Sequence, residues 1–253
     1  MMTGALGELD WLLRPYAVFM GLTFIAPAHA DSANIAVAAN FTSVAEELAA
    51  DFEADTGHKL LLSFGATGQL YAQITQAAPF HVFLAADDER PARAVEEGLA
   101  VEGSAFTYAV GSLALYGPAM DLGDGEAALR AGDFSKIAIA DPETAPYGRA
   151  AMETLDRLGL SAAISPKLVI GENISQTLQF IESGNAELGF VALSPVIGKQ
   201  GVWIVPAHLF EPIRQDAVLL RYGMANVAAR DFVDYLRSED AISVIEAAGY
   251  AVR

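Results

Sequence analysis

Cysteine is absent from this 253-residue chain. That excludes disulfides, catalytic thiols and thiolate metal sites together. Histidine is scarce, and the three beyond the N-terminal segment, His58, His81 and His208, are scattered. No H-E-x-x-H, G-x-S-x-G or S-x-x-K pattern occurs, so an enzyme reading, such as an exported hydrolase, has no catalytic signature to rest on. Asp87-Asp88-Glu89 suggests a cation cluster less than it suggests a solvated first helical turn. Positive charge is also short. Fifteen Lys and Arg face 32 Asp and Glu, a net charge of −17. This balance argues against nucleic acid as a partner, which needs basic surface. It also forbids a simple charge-attraction account of anion binding. Any anion site must be local, with distant carboxylates screened over about 8 Å at physiological salt.

Membrane-length apolar runs are missing too. Residues 16–25 form an apolar stretch too short to cross a bilayer. Arg14 precedes it, and Pro27-Ala28-His29-Ala30 ends it in an A-x-A pattern. The reading is a signal peptide over residues 1–30, cleaved between Ala30 and Asp31. Glu8 and Asp10 are unusual in such a leader. Removing Arg14, Glu8 and Asp10 leaves a mature chain of charge −16. An exported, periplasmic protein follows, without a lipobox cysteine for lipid tethering.

What is present is a globular composition, 53% hydrophobic and 19% charged, with enough chain for substantial cores. Strand and helix patterns alternate, which implies an α/β fold with mainly parallel sheets. Strands are expected at 82–85, 136–140, 168–170, 188–191 and 202–205. Helices are expected at 44–55, 69–77, 147–158, 174–182, 230–237 and 240–247, with another capped by Asp87 or Asp88 and ending at Gly98. Two extended runs, 107–116 and 217–222, lack loop composition and suit strands crossing between two lobes. Residues 31–110 and 215–253 then form a discontinuous first lobe, and 111–214 the second.

Four junctions run from a strand through a short loop into a helix, and in the first two the loop is small, polar and uncharged. Such junctions place free N–H groups at positive helix ends and suit an anion. In Ile35-Ala36-Val37-Ala38-Ala39-Asn40-Phe41-Thr42-Ser43, the Asn40 amide is either a donor to an oxyanion or a turn residue. Ser43-x-x-Glu46 reads as a capping box. In Leu60-Leu61-Leu62-Ser63-Phe64-Gly65-Ala66-Thr67-Gly68, Thr67 offers a hydroxyl and an N–H, and no charge occurs from residue 60 to 77. The third junction, residues 140–148, carries Tyr147, either a phenol reaching into a cleft or a packed surface residue. In the fourth, Asn173 pairs with Gln176 as a structural cap and leaves the Ile174 N–H free.

At these loops the chain resembles the periplasmic molybdate-binding proteins of ABC importers, over most of residues 33–252. The pieces that carry the resemblance are Val37-Ala38-Ala39-Asn40-Phe41-Thr42, Ser63-Phe64-Gly65-Ala66-Thr67-Gly68, Ala77-Ala78-Pro79-Phe80-His81-Val82-Phe83-Leu84-Ala85-Ala86-Asp87, Ala140-Asp141-Pro142-Glu143 with Pro146-Tyr147-Gly148, and Glu187-Leu188-Gly189-Phe190-Val191. The resemblance implies a type II periplasmic-binding-protein fold with a tetrahedral oxyanion held between two lobes by uncharged donors. By position it implies ligand contacts from Asn40, Thr67, Tyr147 and the Ile174 backbone. Thr67 replaces the usual Ser. One subgroup supplies its tyrosine after the strand at 188–191, where this chain has Ala192, so the resemblance is to the subgroup whose tyrosine comes from the third loop. It implies a binding protein, not an enzyme, that needs no cofactor, takes molybdate and tungstate, and serves a membrane permease as a monomer. Another small anion (sulfate, phosphate or an organic acid) is the competing ligand class.

Overall fold

A computed structural model describes residues 30–252; the leader reading, on residues 1–29, lies outside them. Two five-stranded sheets organise the chain. The first contains β1 (Ser32–Ala38), β2 (Lys59–Gly65), β3 (Val82–Leu84), β4 (Phe106–Gly111) and β10 (Ile213–Leu219), in the order β2-β1-β3-β10-β4. The second contains β5 (Leu113–Tyr116), β6 (Ile137–Ala140), β7 (Leu168–Gly171), β8 (Leu188–Ala192) and β9 (Val202–Ile204), in the order β7-β6-β8-β5-β9. In each sheet the parallel pairings expected from strand–helix alternation sit at one side. β1 lies parallel to β2 and β3, and β6 to β7 and β8. Antiparallel pairings complete both sheets through β10 and β5, so the sheets are mixed.

Helices cover the sheets where the apolar periodicity places them. In α1 (Thr42–Thr56), Val44, Leu48 and Phe52 fall on one face and are buried. Phe52 meets Phe232 of α8 (Val227–Tyr235) edge-on, with ring centroids 5.4 Å apart. Burying a side chain of that size contributes roughly 1.5–3 kcal/mol. Gly57 ends α1 at φ 76°, a left-handed conformation that suits glycine. α2 (Thr67–Thr75) and α3 (Glu89–Glu96) flank the first sheet, and α9 (Glu239–Ala247) packs with α1 and α8. The second sheet is covered by α5 (Pro146–Arg157) and α7 (Ile174–Glu182). Two short helices, α4 (Gly125–Ala131) and α6 (Ser161–Ile164), were not anticipated from sequence.

The extended run at 107–116 is two strands. β4 ends at Gly111 in the first sheet, Ser112 passes between, and β5 begins at Leu113 in the second. The return strand begins at Ile213, four residues before its expected start. Ser43 does not cap α1. A 3₁₀ turn over Ala39–Phe41 leads directly into the helix, whose N-cap position is Phe41. Thr42 donates its hydroxyl to the Ala39 carbonyl at 2.8 Å instead.

Candidate functional site

The C-terminal end of β1 delivers Asn40, that of β2 delivers Thr67, that of β6 leads to Tyr147, and that of β7 leads to Ile174. All four residues are buried, and all four line one narrow recess between the two sheets. Ala38, Ala39, Gly65, Ala66, Ala86, Ala145, Pro146 and Asn173 complete its wall. None of these residues carries a formal charge. The carboxylates in the flanking loops are turned elsewhere. Asp141 accepts from the Glu143 N–H at 3.0 Å and the Thr144 hydroxyl at 3.1 Å, while Glu143 and Glu172 are exposed. Asp87 is buried but pairs with Arg90 and accepts its N–H at 3.0 Å. Burial pushes the Asp87 carboxyl up, against the pull of Arg90. A second recess behind Pro146 is walled by Asp87, Asp88, Glu153 and Glu211 beside Arg149 and Arg214. Its four carboxylates repel an anion.

Donors converge on the uncharged recess for local reasons. Ala39 and Asn40 open a 3₁₀ turn, whose first N–H groups have no intrahelical partner. Thr67 is the first residue of α2, and Ala66 at the N-cap provides no side-chain acceptor. The Thr67 hydroxyl oxygen accepts the Ala86 N–H at 3.0 Å, which leaves its hydrogen to donate. At α7 the Asn173 side chain accepts from Ser175 N–H and Gln176 N–H, both at 3.0 Å. Ile174, between cap and capped residues, keeps its N–H. Gln176 returns the interaction at the Glu172 N–H, 2.7 Å away.

Tyr147 follows Pro146 in the first turn of α5 and lies inside, not on the surface. Burial, with the nearby phenols of Tyr250 and Tyr108, pushes its pKa well above the ordinary value. The phenol therefore stays protonated and available as a donor. Its oxygen accepts from Gln215 Nε2 at 3.4 Å. Asn40 differs from the simple donor expected. Its Nδ2 hydrogens face Gln215 Oε1 at 2.8 Å and the Tyr250 oxygen at 3.2 Å, and its carbonyl accepts from the Tyr250 hydroxyl at 2.8 Å. The residue is held from both ends, with its backbone N–H turned to the turn's open start.

Gln215, Tyr250, Tyr108 and Gly111 were missed by sequence reasoning. A Cβ at Gly111 would overlap the Tyr147 hydroxyl and stand 2.8 Å from Gln215 Nε2. Glycine is needed there because the phenol rests on bare backbone. Gln215 left one signal. In Ile213-Arg214-Gln215-Asp216-Ala217 it alternates with buried apolar residues, so it is a polar side chain on an inward strand face. The two sides of the recess also touch directly. Gly68 N–H donates to Thr144 O at 2.8 Å, the Ser175 hydroxyl to Ala39 O at 3.0 Å, and Arg90 to Glu143 O at 3.2 Å.

Residues 33–251 match the family described as bacterial extracellular solute-binding protein. The chain is 50% identical over 236 residues to the molybdate-binding protein ModA of Rhodobacter capsulatus, covering 92% of this chain and 93% of that one. It is 48% identical over 253 residues to ModA of Azotobacter vinelandii, covering 97% and 100%. Among solved structures, the Azotobacter vinelandii periplasmic molybdate-binding protein superposes with a TM-score of 0.83 at 35% identity, over 87% of this chain and 99% of that one. With two lobes joined by crossing strands and its recess between them, this chain belongs to the bacterial extracellular solute-binding protein family and has the type II periplasmic-binding-protein fold.

Proposed function

We propose that this protein is an exported binding protein that captures molybdate, and tungstate with it, and delivers the anion to the membrane permease of an ABC importer. One observation carries the reading. Four junctions from two sheets converge on a single recess whose lining holds hydrogen-bond donors and no formal charge. Molybdate is a dianion at neutral pH and requires donors alone. Hydrogen bonds to a charged partner contribute roughly 1.5–3 kcal/mol each, so a handful of neutral donors offsets the desolvation of the dianion. The ligand contacts in this reading are the Asn40 backbone N–H with its held side chain, the Thr67 hydroxyl and N–H, the Tyr147 phenol and the Ile174 N–H. The high identity to two proteins named molybdate-binding supports the choice of anion.

The lobes in this reading are residues 31–110 with 215–253, and 111–214. Their hinge lies where the chain passes from sheet to sheet, at Gly111–Leu113 and just before Ile213. The mature protein begins near Asp31, acts in the periplasm as a monomer and uses no cofactor. A thermal-shift panel of molybdate, tungstate, sulfate and phosphate tests the function, because a ligand that binds only the folded state raises the midpoint. Molybdate and tungstate should raise it at concentrations where sulfate and phosphate do not. A larger shift from phosphate or sulfate would overturn the assignment.

A further inference from the structure

Beyond α9 the chain runs back to the junction of the two sheets. Gly249 turns it at φ 85°, and a Cβ there would stand 2.5 Å from Ile197 Cδ1, beside the turn Ser194–Val196 that follows β8 of the second sheet. Ala251 then pairs with Val110 of β4. The Val110 N–H donates to the Ala251 carbonyl at 2.7 Å, and the Ala251 N–H donates to the Val110 carbonyl at 3.1 Å. Val110 immediately precedes Gly111, where the chain leaves the first sheet for the second.

Tyr250, between these two anchors, is buried. Its ring meets Phe41 edge-on at 5.3 Å, and Phe41 meets Tyr108 in the same way at 4.9 Å. Its hydroxyl gives its one hydrogen to the Asn40 carbonyl at 2.8 Å, and its oxygen accepts from Asn40 Nδ2 at 3.2 Å. From the second sheet, the Ser194 and Tyr147 hydroxyls face the same oxygen. Burial pushes the phenol up to about 12, so it stays protonated and donating at neutral pH. One oxygen, 210 positions from Asn40 in sequence, is thus the meeting point of both sheets.

This arrangement gives the hydroxyl a task that packing of the ring does not perform. Gripping Asn40 by its carbonyl and its side chain sets the backbone rotation of that residue, and with it the direction of its N–H at the open start of the 3₁₀ turn. We propose that Tyr250 is a positioning residue of the oxyanion site, and that residues 249–252 form a third crossing element, which keeps the two halves of the site in register. The hydroxyl aims the Asn40 N–H and meets Ser194 and Tyr147 across the junction. The inference rests on the oxyanion reading above and concerns a residue that does not itself line the recess. The contacts to Ser194 and Tyr147 exist only while the two sheets face each other. Losing the hydroxyl therefore shortens the life of the shut, loaded state and leaves the arrival of the anion unchanged.

Tyr250→Phe tests this. It keeps the ring against Phe41, and Asn40 Nδ2 keeps Gln215 Oε1 at 2.8 Å. Molybdate affinity is read by calorimetry, and association and dissociation rates by stopped-flow intrinsic fluorescence, on the mature parent and variant. Affinity should fall roughly three- to tenfold, with the loss carried by faster dissociation. A merely structural hydroxyl would lower the thermal midpoint and leave affinity and dissociation rate at the parent values, which would overturn the inference. Ser194→Ala, on a partly exposed residue, reads the contact across the junction and still does so should Tyr250→Phe misfold. Alone it should speed dissociation. Added to Tyr250→Phe it should speed it no further, because Ser194 acts through the missing oxygen. A silent Ser194→Ala, or losses that simply add, overturns the crossing role. A parent that binds no molybdate removes the oxyanion reading itself. A parent that binds it, matched by Tyr250→Phe in affinity and rates, removes this inference alone.

Discussion

Gly111→Ala puts a single methyl group at the point where the phenol meets the crossing strand. The added Cβ overlaps the Tyr147 hydroxyl outright and comes to 2.9 Å from Tyr147 Cζ and 2.8 Å from Gln215 Nε2. Neither neighbour is the free end of a flexible chain, because Tyr147 is packed in the core of the second sheet and Gln215 is fully buried. The phenol oxygen must retreat by more than an ångström, beyond the range over which a hydrogen bond keeps its distance and angle. Binding should weaken about as much as if the O–H were gone, roughly 10- to 150-fold, from a charged hydrogen bond of about 1.5–3 kcal/mol. Overpacking should separately cost about 1–3 kcal/mol of stability. For a domain of this size each kcal/mol lowers the thermal midpoint by about 2–4 °C. Calorimetry with molybdate reads the first effect, and scanning calorimetry of the empty protein the second. The double variant Gly111→Ala, Tyr147→Phe separates them. It should regain part of the lost stability, since the oxygen in collision is gone, yet regain no affinity, so the two binding effects will be strongly non-additive. Should Gly111→Ala bind as tightly as the parent, the phenol is not positioned by this contact and the third-loop assignment fails.

Tyr147→Phe alone should cost roughly 10- to 150-fold in molybdate affinity and also lower the midpoint, because the buried Gln215 Nε2 loses its acceptor, and Thr67→Ala should weaken binding from the opposite side; unchanged calorimetric affinity in both would remove the site. Ser175→Ala deletes a hydrogen bond across the recess, so the empty protein should expand while the molybdate-bound form does not, as read by small-angle scattering; identical empty profiles would refute that role. His81 is held below its ordinary 6.5, chiefly by burial, against the pull of Asp31. Its Nδ1 accepts the Asn34 N–H at 2.7 Å. A base with a depressed folded pKa contributes stability that is present above the unfolded value and lost as pH falls through the folded one. The midpoint of the parent should therefore fall more steeply than that of His81→Gln between about pH 7 and 5; parallel curves would contradict it.

Much of this was legible in the sequence, and the parts that were not share a physical cause. Helix α7 was found at its true limits because Asn173 and Gln176 mark its start and an apolar stripe runs its length. The roles of Asn173 and Ile174 follow from short-range rules that act within a turn. Ser43 was misjudged because a capping box and a 3₁₀ turn compete for the same residues, and burial of Asn40 and Phe41 decides in favour of the turn. The start of β10 was missed because Arg214, Gln215 and Asp216 break its apolar run. That one misplacement concealed Gln215, whose partners lie up to 175 positions away in sequence. Tyr250 and Gly111 also act through contacts distant in sequence, and no local pattern announces them. Loop chemistry could be read along the chain; the polar network beneath the loops exists only once the two sheets face each other.

The bonds from Gly68 to Thr144 and from Ser175 to Ala39 are made by the protein alone. They lower the free energy of the shut cleft whether or not an anion occupies it. Apparent affinity then suffers less dilution, because a larger fraction of empty molecules already has the competent shape. The same bonds act against transport fidelity. A permease that recognises the shut shape by its outer surface meets unloaded carriers in proportion to that fraction, and each such meeting occupies the importer without cargo. The strength of two backbone-anchored contacts therefore sets a compromise between scavenging a scarce anion and wasting turns of the machine that imports it.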